Sequence, residues 1–115
     1  MGLMGTSAMA QSQAPDFISV IEDLPLMPGL SEDPDSAMSF EAANGRIAEA
    51  TASGPVEPGD IIDYYKQALP QLGWILVTTK QYKREEDVLN IDVAKGDGRA
   101  VPVIVHFRLS PTKTK

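Results

Sequence analysis

Asp60-Ile61-Ile62-Asp63-Tyr64-Tyr65-Lys66-Gln67-Ala68-Leu69-Pro70-Gln71-Leu72-Gly73-Trp74 carries the clearest helical period in the chain. Ile61, Tyr65, Ala68, Leu69 and Leu72 recur at the spacing of one helical stripe. Gly54-Pro55-Val56-Glu57-Pro58-Gly59 breaks the preceding pattern, so the helix is expected from about Pro58 or Asp60 to Leu72. Asp60 and Asp63 lie in its early turns, where carboxylates complement the positive end of the helix dipole. Pro70 falls off the stripe and predicts a bent or shortened last turn. Gly73 suits a left-handed cap, which would let Trp74 fold back onto Leu69. This stripe reads as a core-facing helix and not as a catalytic one.

On both sides of the helix the period changes from three-to-four to two. Residues 38–43 and 46–52 flank Asn44-Gly45, a dipeptide suited to a tight hairpin turn. A loop made of those two residues sets Ala42 opposite Ile47 and Phe40 opposite Glu49. Glu49 then shares a face with Phe40 and Met38, which fits a sheet edge or a binding surface better than a core. After the helix, strands are expected over residues 74–83, 88–94 and 100–109. Leu89, Ile91 and Val93 line one face of the second, and Val101, Val103, Val105, Phe107 and Leu109 one face of the third. Pro102, Ile104, His106 and Arg108 take the other face, with Gly96-Asp97-Gly98 as the connecting turn. The order ββαβββ with short connections predicts an α+β fold. Its sheet is mostly antiparallel and five-stranded, with one helix packed on one face.

Residues 11–36 precede this domain (37–110) and show little period. Pro15, Pro25, Pro28 and Pro34 bias them toward an extended arm, yet Leu24-Pro25-Leu26-Met27-Pro28-Gly29-Leu30 is too apolar to remain in water. The arm is expected to pack on the domain or to dock on a partner. Residues 1–10 end in Ala8-Met9-Ala10, an A-x-A pattern consistent with cleavage after Ala10. They read as the remnant of a signal peptide, so the chain is expected to be an exported, periplasmic protein. Residues 111–115 are expected to form a frayed tail.

The residues Ile62, Tyr65, Leu69, Gly73 and Trp74, followed by strands, resemble a module of small exported bacterial proteins and lipoproteins. In that module a helix packs on an antiparallel sheet. More narrowly, Asp23-Leu24-Pro25-Leu26-Met27-Pro28-Gly29-Leu30, Gly45-Arg46-Ile47-Ala48-Glu49-Ala50 and Leu69-Pro70-Gln71-Leu72-Gly73-Trp74 resemble an uncharacterised family of small exported bacterial proteins. The resemblance spans about residues 16–110. It implies fold and compartment, and no activity comes with it.

A chain of 115 residues with 43% hydrophobic content suits one domain. Sixteen acidic and ten basic side chains give a net charge of −6, which opposes nucleic-acid binding. Lys80, Lys83 and Arg84 are followed at once by Glu85, Glu86 and Asp87, a run expected to neutralise itself at a hairpin tip. The absence of cysteine excludes disulfides, thiolate metal sites and a cysteine nucleophile. No apolar run reaches the roughly eighteen residues of a membrane span, so no membrane insertion is expected.

No catalytic constellation stands in the sequence. His106 is the only histidine and, beside Arg108, reads as a surface residue. Glu32-Asp33-Pro34-Asp35 lacks the alternating ligands and distal glutamate of a calcium loop. Ser31, Ser36, Ser39 and Ser53 have no nucleophile-elbow context. Neither metal nor cofactor is expected. The leading functional expectation is a non-catalytic interaction module whose partner is another envelope protein. Leu26, Met27, Leu30, Glu49 and Arg108 are its candidate contacts. The alternative is a carrier of small apolar ligands, with a pocket near Tyr64, Tyr65 and Trp74.

Overall fold

The helical period holds in the computed structural model, which describes residues 16–94 and 102–112. Helix α1 runs over Pro58–Ala68, with proline in its first turn and backbone N–H groups of Asp60 and Ile61 donating to the Glu57 carbonyl. Pro70 cannot continue the α ladder, so Leu69–Leu72 tighten into a 3-10 turn. Gly73 then takes a left-handed φ of 93°, and the Trp74 N–H donates to the Leu69 carbonyl at 3.1 Å. Ile61, Tyr65 and Leu69 are buried as the stripe predicts; Leu72, assigned to the same stripe, is 38% exposed because the 3-10 turn rotates it off that face.

Nine strands accompany the helix among the described residues. In chain order they are β1 (Asp16–Ile18), β2 (Ile21–Leu26), β3 (Ser31–Glu32), β4 (Met38–Ala42), β5 (Gly45–Gly54), β6 (Ile75–Thr78), β7 (Gln81–Arg84), β8 (Asp87–Ala94) and β9 (Val103–Pro111). Strands β1 and β2 form a separate hairpin, while the other seven make one sheet in the order β3-β5-β9-β8-β7-β6, with β4 also on β5. Every pairing in it is antiparallel. The architecture is thus one helix on a large antiparallel sheet, and the expected count of five strands is too low.

The extra strands have two origins. Residues 74–83 form a hairpin instead of one strand, because the chain reverses at Thr79-Lys80 and pairs Thr78 with Gln81. Residues 16–32, expected as an extended arm, supply β1, β2 and β3. In the first hairpin of the main sheet the loop lies one residue earlier than expected, so the cross-strand partners shift by two. Ala42 faces Gly45, Phe40 faces Ile47 and Met38 faces Glu49, so Ala43-Asn44 makes the loop. Gly45 carries a φ of 148° and sits against Pro111, where an added Cβ would lie 2.9 Å from the proline Cβ. The glycine is therefore needed just inside the strand and not within the loop.

The core lies on one side of the sheet. Ala48, Ala50 and Ala52 of β5, Leu89 and Ile91 of β8, and Val103, Val105, Phe107 and Leu109 of β9 turn inward and are buried. Their small and branched side chains leave depth for Tyr65, whose ring meets Phe107 edge-on at 5.6 Å. The same cluster includes Ile18, Ile21, Leu24, Leu26 and Leu30. The arm is therefore part of the fold. Burying each such side chain contributes about 1.5–3 kcal/mol before chain entropy is counted.

Polar contacts fasten the arm where apolar packing alone would let it slide. The Tyr65 hydroxyl donates to the Pro25 carbonyl at 2.7 Å and accepts from the Met27 N–H at 3.3 Å. Gly29 lies so close to Gly54 that a Cβ on Gly54 would stand 2.0 Å from the Gly29 carbonyl oxygen. Arg84 stacks on Trp74 at 4.3 Å and donates to Asp23 at 2.6 Å and to the Leu72 carbonyl at 3.0 Å. Arg84 thus ties sheet, arm and helix terminus together, and does not spend its charge on the acidic run that follows it. Thr112, expected in a frayed tail, donates through its N–H and its hydroxyl to the Glu86 carbonyl. Residues 1–10, the Gly96-Asp97-Gly98 turn and residues 113–115 lie outside the described residues.

Candidate functional site

Alternation along β5 and β9 that buries one set of side chains leaves the other set on a face covered by no described element. Ile47, Glu49 and Thr51 of β5 point there, as do Ile104, His106 and Arg108 of β9. Glu49 faces Arg108 and Thr51 faces His106 across the β5–β9 pair; Asn90 and Asp92 of β8 face Arg108 and His106 from the other side. The centre of the open face is consequently polar.

Its side chains form one connected chain. Arg108 Nη1 donates to Glu49 Oε2 at 2.5 Å, His106 Nε2 lies 3.4 Å from Glu49 Oε1, and Thr51 Oγ1 is 3.2 Å from His106 Nδ1. The Glu49 side chain is only 19% exposed, against 46% for Arg108. Both Glu49 oxygens are thus occupied by neighbours that hold the carboxylate flat on the sheet. Around this centre, Met38, Phe40 and Ile104 are each about half exposed. The chain Thr51–His106–Glu49 has the hydrogen-bond order of a proton relay. It sits on interior strands, however, whose ladder bonds occupy the amides that could stabilise an oxyanion.

The structure brings Glu49 and Arg108 together and separates them from the other sequence-predicted contacts. Leu26 and Leu30 are buried, and Met27 is half-buried against the core. Sequence reasoning put Met38 and Phe40 on the face of Glu49 and His106 beside Arg108, but did not join the two sets or place Thr51 with them. The two-residue change of partner along β4 sets Met38, and not Phe40, directly across from Glu49.

Two depressions lie elsewhere. A groove of about 290 Å3 between the β1–β2 hairpin and one end of the sheet is lined by Ile21, Glu22, Asp23, Arg46, Arg84, Asp87 and Leu109. Its arginines are engaged: Arg46 contacts Glu22, Ser39 and the Val20 carbonyl, and Arg84 contacts Asp23. The second, about 350 Å3, is on the outer side of α1 beside Asp63, Tyr64, Gln67, Ala68 and Gln71. Tyr65 and Trp74 are buried in the packed interior, so the pocket expected between helix and sheet is filled by the protein's own side chains. Burial raises the pKa of Tyr65 far above that of a free tyrosine, opposed in part by the hydrogen bond from Met27; burial raises Tyr64 and Tyr82 as well. Among the described residues no group of three or more His, Asp or Glu side chains is placed to hold a metal ion, and no helix is long and apolar enough to cross a membrane. In comparisons with known proteins, no family model, curated protein or solved structure matches the chain.

Proposed function

We propose that this chain is a non-catalytic binding module of the bacterial cell envelope that holds another envelope protein on its open sheet face. The observation that carries this reading is the Glu49–Arg108 pair, joined at 2.5 Å on a face that also exposes Met38, Phe40 and Ile104. A protein interface needs a fixed polar centre for register and apolar anchors around it, with arginine and aromatic side chains prominent. The compartment rests on Ala8-Met9-Ala10 and on the family resemblance of residues 16–110. A carrier of small apolar ligands would need open volume against Tyr65 and Trp74, and both are packed.

Affinity capture from an envelope extract, with the intact chain as bait and brief crosslinking, tests the reading. One enriched protein is expected, lost with Arg108→Glu and at least partly regained when Glu49→Arg is added, since the pair is then reversed in place. Equal capture by the native chain and Arg108→Glu would place the contact on another surface.

A further inference from the structure

The sheet has two free borders, and they are unlike. At one, β6 is four residues long and its register slips between Leu76 and Thr78, so the strand is bulged, and Lys80 lies in the turn that follows it. Short length, a bulge and a lysine are the devices by which edge strands resist further pairing. At the other border, β4 pairs with β5 in unbroken register over all five of its residues. Among the described residues no strand covers its outer side. It lacks bulge, lysine and proline, and its two large side chains, Met38 and Phe40, are half exposed.

The backbone of β4 is set to accept a partner strand. On β5, Thr51 turns its own N–H and carbonyl toward this border, the one to Ser36 Oγ and the other to the Asp33 N–H. The ladder alternation then gives Ile47 and Glu49 the same direction, so Phe40 and Met38 spend their backbone groups on β5. Ser39 and Glu41 are left with theirs pointing outward.

We propose that the occupant of this edge is a second copy of the chain, paired β4 to β4 about a two-fold axis through Phe40. In that register Phe40 faces Phe40, Met38 faces Ala42, and Ser39 faces Glu41. The two sheets continue into one, and the open faces join into a single surface. The choice of a second copy rests on charge complementarity. Within each chain, Arg46 Nη1 already reaches Ser39 Oγ at 3.3 Å. The partner's Glu41 arrives opposite Ser39, beside a hydroxyl and the Arg46 guanidinium, which keeps its contact with Glu22 and gains a second carboxylate neighbour, and the symmetry repeats the contact. Sliding the register to centre on Glu41 would set two carboxylates face to face. A single strand pair buries less than the roughly 1,200 Å2 of a standard stable interface, so the dimer is weak and concentration-dependent.

Sedimentation velocity on the full chain from about 10 µM to about 1 mM, the range expected for so small an interface, tests this. The native chain is expected to shift from monomer toward dimer. Ser39→Pro, which removes an outward N–H without touching the β5 ladder, and Glu41→Lys are each expected to hold it monomeric. Ile75→Lys at the opposite border leaves association unchanged. The cysteine-free sequence allows a second readout: Phe40→Cys is expected to oxidise to a disulfide-linked dimer and Ile75→Cys is not. A native chain that stays monomeric at 1 mM, or dimerisation lost with Ile75→Lys but kept with Ser39→Pro and Glu41→Lys, overturns the proposal. Neither result bears on capture of a partner by the Arg108 face, which is read separately.

Discussion

Strand β5 has two sides, and they have opposite fates. Ala48, Ala50 and Ala52 are completely buried beneath the helix and the arm, while Ile47, Glu49 and Thr51, one residue along, face a side on which no described element packs. The backbone is the same on both sides, so the difference lies in what each side meets. Small apolar side chains allow close cover, and the cover then makes any change on that side expensive. On the other side, half-exposed groups hold one another by hydrogen bonds and leave room for something else to bind.

Substitutions that ask each side to behave like the other test this contrast. The largest effect is expected from Leu26→Asp on the covered side. It buries a charge and opens a cavity, so the loss should be at least that of a Leu→Ala core truncation, about 2–5 kcal/mol, read by denaturant unfolding. A melting temperature left nearly unchanged would show that the arm is not part of the core.

Tyr65→Phe should cost less, about 1–3 kcal/mol, since it leaves the Pro25 carbonyl and the Met27 N–H without their partner. It also has a pH signature. The folded pKa of Tyr65 is raised, so its contribution is fully present below the unfolded tyrosine pKa of about 10. Above that pH the unfolded chain releases a proton that the folded chain keeps, and stability falls as pH rises. The slope of stability between about pH 10 and 11.5 should be shallower in Tyr65→Phe than in the native chain.

The smallest stability effect is expected on the open side. Arg108→Ala removes one half-exposed ion pair and should cost no more than about 1 kcal/mol, yet abolish partner capture. A loss as large as that from Leu26→Asp would make the Glu49–Arg108 pair structural, and the contrast between the two sides would disappear.

Much of the covered side was legible in the residues themselves. The stripe of Ile61, Tyr65 and Leu69, the alternation of Leu89 with Ile91, and that of Val103, Val105 and Phe107 each state which side chains face inward. Pro70 and Gly73 announced how the helix ends. The turn at Thr79-Lys80 left no such mark, for neither residue is a turn former; it is held by the pairing of Thr78 with Gln81, by the Lys80 N–H donating to Thr78 Oγ1 at 3.1 Å and by the Ile91 N–H donating to the Lys80 carbonyl at 2.9 Å. The arm was hidden for another reason. Its prolines suppress a periodic signal, and its hairpin exists because the core surface and the Tyr65 hydroxyl receive it. Of the candidate site, Glu49 and Arg108 could be named from strand faces alone. Met38 and Phe40 could be put on the face of Glu49 too, but the join of Glu49 and Thr51 with Arg108 and His106 could not, because it depends on the pairing of β5 with β9.

The sequence by itself determined the helix, its cap, the inward faces of the long strands and the α+β class. Those are local properties, set by side-chain period and by the dihedral limits of proline and glycine. Only the tertiary structure decided that the arm completes the core, that one strand becomes two, and that no described element packs on one side of the sheet. Each of those depends on which distant surfaces meet, and pairing energy between distant segments leaves no period in the chain.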